Sequence, residues 1–168
     1  FTYTQHADYA GSDAFTYTVT AAASGESLTR SVSIAINPVD DPALIAGDTG
    51  FTGNEGDTGS GDLNATDVDG LTDLTYFSIS TQGTSGTASI DPLTGAWSYT
   101  PTDPDWFGSD SFEVTVTDDL GGTTTQAVGI SLANVDDPSV ITGASSGTVR
   151  VDGALSASGT LSISDIDP

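Results

Sequence analysis

Paired carboxylates are the side chains of this sequence that could do chemistry, because they recur in fixed short patterns. The tetrapeptide VDDP occupies residues 39–42 and 135–138, and the tripeptides DVD and DID occupy residues 67–69 and 165–167. Carboxylate oxygens suit calcium, which takes roughly six to eight oxygen ligands. Paired carboxylates can also supply the acid and the base that cleave a glycoside.

The remaining catalytic inventory is small. The 168 residues include one histidine, His6, and no cysteine, so the sequence offers neither a Ser/His/Asp set nor a thiol nucleophile or zinc thiolate site. The acidic pairs of VDDP stand directly before prolines at the predicted boundaries between modules, where a catalytic cleft is not expected. We therefore expect that the chain is not an enzyme.

The charge balance excludes two classes of partner. The sequence carries 24 acidic residues against 2 basic ones, a formal net charge of −22. Nucleic acids and anionic membrane surfaces are bound through clusters of lysine and arginine, so both would repel this chain. No apolar run approaches the roughly 20 residues that a membrane span needs. We expect no nucleic-acid partner and no membrane insertion.

The elements that must position the carboxylates are β-strands. Apolar and polar residues alternate in SVSIAI at 31–36, in SFEVTV at 111–116 and in TLSIS at 160–164, as in half-buried strands. High charge with only 36% hydrophobic residues could also mean disorder, but scattered apolar residues would then replace this alternation. The sequence therefore predicts an all-β fold.

The whole pattern repeats after 96 to 98 residues. VDDP recurs at an offset of 96, and residues 44–69 match residues 140–167. Self-similarity at a fixed period indicates an array of similar units. We expect a segment of a longer tandem array, with the C-terminal part of a first repeat at 1–41, a complete repeat at 42–137 and the N-terminal part of a third repeat at 138–168.

A period near 96 residues fits a seven-stranded antiparallel sandwich of about 100 residues. In the complete repeat, strands are predicted near 44–52, 60–66, 74–80, 87–91, 96–100, 111–117 and 123–133. The large side chains available for its core are Tyr76, Phe77, Trp97, Tyr99, Trp106 and Phe112.

The order of motifs in this repeat resembles that of the bacterial cadherin-like, VCBS-type repeat. The resemblance rests on SIDPLTGAWSYTP at 89–101, FGSDSFEVTVTDD at 107–119 and NVDDP at 134–138. It implies tandem Ig-like or cadherin-like Greek-key β-sandwiches from large bacterial surface or secreted adhesins. It also implies calcium at the boundaries between modules, and a role in extension or adhesion.

Successive turns of such a sandwich alternate between its two ends, which divides the carboxylates into two groups. The group expected beside the preceding module is Asp40, Asp41, Asp67, Asp69 and Asp118. The group expected at the opposite end is Glu55, Asp136 and Asp137, joined there by Asp165 and Asp167 of the next module. The segment 101–110, with Asp103, Asp105 and Asp110, is also expected at that opposite end.

Each group predicts a Ca²⁺ site. Two carboxylates 4 Å apart repel by about 1 kcal/mol even in water, so converging carboxylates favour a cation between them. Aspartate in turns also serves backbone hydrogen bonding, and this second interpretation is preferred for Asp13, Asp91 and Asp110.

These patterns lead to one main hypothesis and two alternatives. The main hypothesis is a calcium-stiffened extender repeat of a long bacterial extracellular or cell-surface protein, whose partners are neighbouring repeats of the same polypeptide. The first alternative is an adhesive repeat with homophilic or carbohydrate binding, in which Tyr9 and Trp106 would be exposed on one face. The second is a subunit of an extracellular filament that associates head to tail by strand exchange.

Overall fold

The computed structural model describes residues 1–153 and 156–167, and its elements are all β-strands. Ala154, Leu155 and Pro168, which belong to the predicted third repeat, lie outside the described residues. The strands are β1 (Gly11–Thr20), β2 (Ser27–Ile36), β3 (Leu44–Gly47), β4 (Gly50–Asn54), β5 (Gly59–Thr66), β6 (Phe77–Thr81), β7 (Gly86–Ile90), β8 (Ala96–Pro101), β9 (Gly108–Thr117), β10 (Thr123–Ala133), β11 (Val140–Gly143) and β12 (Leu161–Ser164). The all-β prediction is confirmed. Within the described part of the chain, no helix is long and apolar enough to span a membrane.

Two four-stranded sheets form the central sandwich. One sheet has the strand order β3-β5-β8-β7, and the other has the order β4-β10-β9-β6. β4 runs parallel to β10, whereas the other neighbours within these sheets are antiparallel. Strands that are distant in sequence are therefore neighbours in the sheets, as in the predicted Greek-key sandwich.

The core lies between the inner faces of the two sheets, where every second side chain of a strand is buried. Along β9 these are Phe112, Val114 and Val116, each with no exposed surface. The ring of Phe112 meets Trp97 edge-on at 5.5 Å and stacks on Tyr99 at 6.3 Å between ring centroids. Burial of one such side chain stabilises the fold by about 1.5–3 kcal/mol. Of the predicted core aromatics, Tyr76 and Trp106 are only partly buried and pack against this cluster.

The first predicted strand, 44–52, is divided between the two sheets. β3 pairs with β5 and β4 pairs with β10, and the chain crosses over at Gly47. Gly47 has φ of +114°, and a Cβ at this position would collide with the carbonyl oxygen of Asp62. A side chain at Gly47 would prevent this crossing, so the split depends on glycine.

Two further strand pairs flank the sandwich, in the segments where the first and third repeats are predicted. β1 pairs with β2 as β9 pairs with β10, and β11 pairs with β12 as β3 pairs with β5. The apolar side chains of these pairs are more exposed than their counterparts in the sandwich, with exposed fractions of 59% for Val19 and 70% for Ile163. The proposed repeat boundaries at 41/42 and 137/138 stay a prediction.

Candidate metal centres

The turn that follows β5 holds its first aspartate by a local hydrogen bond. Asp69 N donates to Asp67 Oδ1 at 2.7 Å, so Asp67 caps its own turn with one carboxylate oxygen. Asp41 N, in the linker before β3, donates to Asp69 Oδ2 at 2.6 Å. These two contacts attach the linker to the end of the sandwich that carries Asp67 and Asp69.

Asp118 begins the turn between β9 and β10, and its side chain is buried, with 5% of its surface exposed. Its Oδ1 accepts hydrogen bonds from Leu120 N and Gly122 N, both at 2.9 Å. The turn between β1 and β2 is one residue longer and closes with backbone bonds at Ala21, the residue 97 positions before Asp118. The turn after β9 therefore uses one oxygen of Asp118, whereas its other oxygen, Oδ2, has no hydrogen bond in that turn.

One carboxylate oxygen of each of two aspartates is buried without a partner. Among the described residues, these atoms are Asp67 Oδ2 and Asp118 Oδ2. A buried acceptor without a donor costs about 1–3 kcal/mol. A bound cation would remove this cost, so the two atoms point to a ligand of positive charge.

Asp40 completes this group from the linker side. A Cβ built at Gly122 would stand 2.5 and 2.6 Å from the carboxylate oxygens of Asp40 and would also collide with Asp118 Oδ2, so Asp40 and Asp118 crowd around one point. Loss of solvation, followed by the charges of Asp118, Asp69 and Asp67, raises the pKa of Asp40. We call Asp40, Asp67, Asp69 and Asp118 the upper cluster.

The upper cluster fits calcium by its donor set. Its members offer only carboxylate oxygens on short side chains, from the linker, the turn after β5 and the turn after β9. Hard oxygen ligands of this kind suit Ca²⁺ and give no advantage to softer transition metals. The lone pairs of the two unpartnered oxygens are available to an ion.

A second group lies at the opposite end of the sandwich. Glu55, Asp137 and Asp167 each offer a carboxylate oxygen within 4.8 Å of the others. Asp137 N donates to Asp167 Oδ2 at 2.5 Å, and Val135 N donates to Glu55 Oε1. Desolvation and then the charges of Asp105, Asp167, Asp165 and Asp136 raise the pKa of Asp137. We call Glu55, Asp105, Asp136, Asp137, Asp165 and Asp167 the lower cluster.

The two clusters share the contact between linker and turn, and they differ at one oxygen of the first aspartate in that turn. The bond from Asp137 N to Asp167 copies the bond from Asp41 N to Asp69, because the linkers and turns are sequence copies. In the lower cluster, however, Ser139 Oγ donates to Asp165 Oδ2 at 2.7 Å. The residue that corresponds to Ser139 at the upper end is Ala43, which leaves the equivalent oxygen of Asp67 without a partner.

The structure adds Asp105 to the predicted set. Asp105 is half-buried, and it lines one cleft with Asp137 and Asp165. Its sequence copy, Asp8, lines a cleft with Asp41 and Asp69 at the other end. The sequence repeat could have indicated Asp105 as a member of the lower cluster, because Asp8 and Asp105 stand 97 residues apart within matching segments.

The structure therefore divides these carboxylates between the two ends of the sandwich. At the upper end, Asp41 joins the cluster through its backbone N–H, and its side chain lines the adjoining cleft. At the lower end, Asp136 is exposed and contributes its charge. The binding of calcium by any of these residues stays a prediction.

Asp110 has a different role, because both of its oxygens are occupied. Its carboxylate accepts from Tyr99 Oη at 2.5 Å, Ser85 N at 2.8 Å, both donors of Thr84 at 3.1 Å and Ser111 N at 2.8 Å. Burial alone would raise the pKa of Asp110, but these hydrogen bonds outweigh it and lower the pKa to about 2. These contacts favour the structural interpretation of this residue.

Asp13 and Asp91, the other two aspartates for which a turn role is preferred, also have local hydrogen-bond partners. Asp13, the copy of Asp110, accepts a hydrogen bond from Tyr3 Oη at 2.6 Å. Asp91 accepts from Leu93 N at 3.0 Å and Thr94 N at 2.8 Å within its own turn. Both carboxylates therefore have local hydrogen-bond partners, as the turn interpretation predicts.

Comparison with known proteins identifies the family of the sandwich. Residues 40–134, more than half of the 168-residue chain, match the bacterial cadherin-like domain, and no curated protein matches the sequence. Such domains are in general extracellular, adhesin-type repeats of structural rather than enzymatic character, and they generally bind calcium. The finer resemblance to VCBS-type repeats stays a prediction. The match, together with the two-sheet topology and the acidic ends, shows that this chain belongs to the bacterial cadherin-like domain family.

Proposed function

We propose that the chain is a calcium-stiffened spacer of a long bacterial extracellular or cell-surface protein. The observation that carries the proposal is the upper cluster, where Asp40 of the linker and Asp118 of a turn crowd around one point, the charges of Asp69 and Asp67 act on Asp40, and two buried oxygens have no partner. The lower cluster supports it, because Asp167, which follows the second linker at 134–138, approaches Glu55 of the sandwich and Asp137 of that linker.

In this proposal, the linker residues and the residues at the ends of the sandwich hold the ion jointly. Asp40, Asp67 and Asp118 would bind it at the upper end, and Glu55, Asp137 and Asp167 would bind it at the lower end. Calcium supplies positive charge that cancels the repulsion among these carboxylates. An ion that binds only the docked arrangement stabilises it by about 2.7 kcal/mol at a concentration one hundred times its dissociation constant. A linker held in this way loses its freedom to bend.

Small-angle X-ray scattering with and without chelator tests this proposal. We expect the maximum dimension to be larger and the distance distribution narrower in calcium than in chelator, and magnesium to be a poor substitute because it needs a tighter octahedral site. The double variant Asp67→Asn with Asp118→Asn should lose the calcium response. Asp62→Asn, which removes a charge from an exposed strand position, should keep it. A maximum dimension that does not respond to calcium in the unmodified chain would overturn the proposal.

The adhesive alternative has little support from the two aromatics that it invokes. Trp106 is half-buried and packs against the core. Tyr9 is 41% exposed, and its hydroxyl donates to Ser12 O at 2.8 Å. These side chains therefore do not form the flat, exposed aromatic surface that a carbohydrate would stack on.

The filament alternative is favoured by one observation. Tyr17, Val19 and Leu28 on one face of the β1–β2 pair are about half exposed, at 47%, 59% and 54%, although the matching face of β9–β10 is core. A second copy could cover this face with its β11–β12 pair. Light scattering coupled to size exclusion over a hundredfold concentration range separates the two functions, because a spacer keeps the mass of one chain and a filament subunit does not.

A further inference from the structure

The upper cluster depends on two turns that come from distant parts of the chain. Asp67 and Asp69 lie after β5, and Asp118 lies after β9. Calcium needs its oxygen ligands at about 2.3–2.6 Å, so the two turns must keep a fixed separation. The carboxylates themselves repel one another, and some other contact must hold the turns together before an ion arrives.

Asp119 makes that contact. Its Oδ1 accepts a hydrogen bond from Thr72 N at 2.9 Å, and its Oδ2 accepts one from Thr72 Oγ1 at 2.7 Å. Asp119 N also donates to Gly70 O at 3.2 Å. A Cβ at Gly70 would stand 2.6 Å from Asp119 Oδ2, so the close approach of the two turns depends on the absence of a side chain there.

We propose that Asp119 is a positioning residue for the upper cluster, an inference that rests on the proposed function. Asp118 turns toward Asp40 and leaves one oxygen for the ion, while its neighbour Asp119 clamps the segment that carries Asp67 and Asp69. Asp119 thus fixes the spacing of the ligands and does not itself bind the ion.

The repeat supplies an independent observation. In the turn between β1 and β2, Ala21 and Ala22 occupy the positions of Asp118 and Asp119, and this turn, which is one residue longer, closes with backbone bonds from Ala21 N to Glu26 O and from Gly25 N to Ala21 O. A hairpin therefore closes at this point of the repeat without either aspartate, and both are absent together. This joint absence is expected if one of them serves the other.

Thr72 provides the decisive variant, because its side chain carries no charge and lies outside the cluster. Thr72→Val removes the hydroxyl donor and keeps the shape of the side chain, and Thr72→Ser restores the donor. The matched control is Thr81→Val, since Thr81 Oγ1 donates to the exposed Glu113 carboxylate at 2.7 Å, away from both clusters. Calcium titrations of the full chain would be followed by backbone amide NMR signals of Gly122 for the upper cluster and Asp137 for the lower cluster.

We expect Thr72→Val and Asp119→Ala to weaken calcium binding at the upper cluster roughly ten- to hundredfold, as loss of a ligand-orienting contact does. Thr72→Ser should stay close to the unmodified chain, and Thr81→Val should be unchanged. In each variant, the lower cluster should keep its affinity.

Three results would overturn the inference. Unchanged upper-cluster affinity in Thr72→Val would show that the clamp does not position the ligands. Loss of affinity in Asp119→Ala alone would identify Asp119 as a ligand. Equal weakening at both clusters would indicate general destabilisation. If the unmodified chain binds no calcium at either cluster, the proposed function fails instead, so the two failures are distinguishable.

Discussion

Replacement of Asp118 by asparagine should remove most of the difference in the protein's thermal stability between a solution with calcium and one with chelator. In Asp118→Asn, the amide oxygen can keep the bonds from Leu120 N and Gly122 N, which Asp118 Oδ1 accepts at 2.9 Å. The amide nitrogen then takes the place of the buried, unpartnered Oδ2 and points toward the carboxylate of Asp40. An acceptor that lacks a donor is thereby replaced by a donor next to an acceptor.

The magnitude follows from these contacts. A hydrogen bond to a charged group contributes about 1.5–3 kcal/mol, so we expect Asp118→Asn to stabilise the chelated protein by roughly 2 kcal/mol. For a domain of this size, about 1 kcal/mol shifts the melting temperature by 4–8 °C. Calcium at one hundred times its dissociation constant stabilises the unmodified chain by about 2.7 kcal/mol, and a hundredfold loss of affinity leaves about 0.4 kcal/mol.

Thermal unfolding followed by circular dichroism, in millimolar calcium and in chelator, measures both effects. The matched control is Asp110→Asn, because both oxygens of Asp110 accept N–H donors and an amide nitrogen must face one of them. This control should lose about 2–3 kcal/mol in both solutions and keep the full difference between them.

The reasoning is refuted if Asp118→Asn melts below the unmodified chain in chelator. It is also refuted if the variant keeps the full calcium-induced shift, because the buried oxygen would then not be a ligand. A reduction of the calcium shift in Asp110→Asn would show that the effect is not specific to the cluster.

Two further predictions concern pH and the difference between the clusters. In chelator, the free energy of unfolding should rise as the pH falls from neutral through the raised pKa values of Asp40 and Asp137 toward 3.8, because the folded state binds these protons more tightly than the unfolded state does. It should then fall toward pH 2, as Asp110 loses its charge. Urea unfolding at a series of pH values checks both signs, and a flat profile would contradict them. In Ala43→Ser, the new hydroxyl should donate to Asp67 Oδ2, as Ser139 Oγ donates to Asp165 Oδ2. One such hydrogen bond contributes about 1 kcal/mol, so the melting temperature in chelator should rise by about 4–8 °C. An unchanged melting temperature would count against the correspondence between the two ends.

Most of the fold follows from local patterns that the sequence carries. Alternation along 111–116 fixes which side chains of β9 enter the core, and the structure buries Phe112, Val114 and Val116 accordingly. The exception is the first strand, predicted at 44–52, which divides at Gly47. Its two halves belong to different sheets, and strand periodicity cannot reveal this because the change of partner depends on long-range pairing with β5 and β10.

The candidate sites were predictable in position and less so in detail. Alternation of turns between the two ends was enough to separate the two groups of carboxylates. It could not assign a partner to each oxygen, which decides that Asp110 is saturated while Asp118 keeps an open position. Asp119 illustrates the same limit, because its contact with Thr72 joins residues 47 positions apart.

The divided first strand also connects the two ends of the sandwich, where the boundaries between repeats are predicted. The chain leaves Asp41, which is bonded to Asp69 at the upper end, passes through β3 and β4, and reaches Glu55 at the lower end. Glu55 N donates to Ala133 O at 2.9 Å, and the Glu55 side chain accepts from Val135 N in the second linker. β10, which is paired with β4, begins after the turn that carries Asp118 and ends before the second linker, so one strand connects the proposed ligand groups at both ends. A spacer requires this arrangement, because stiff linkers extend an array only if the domain between them is itself a rigid connection.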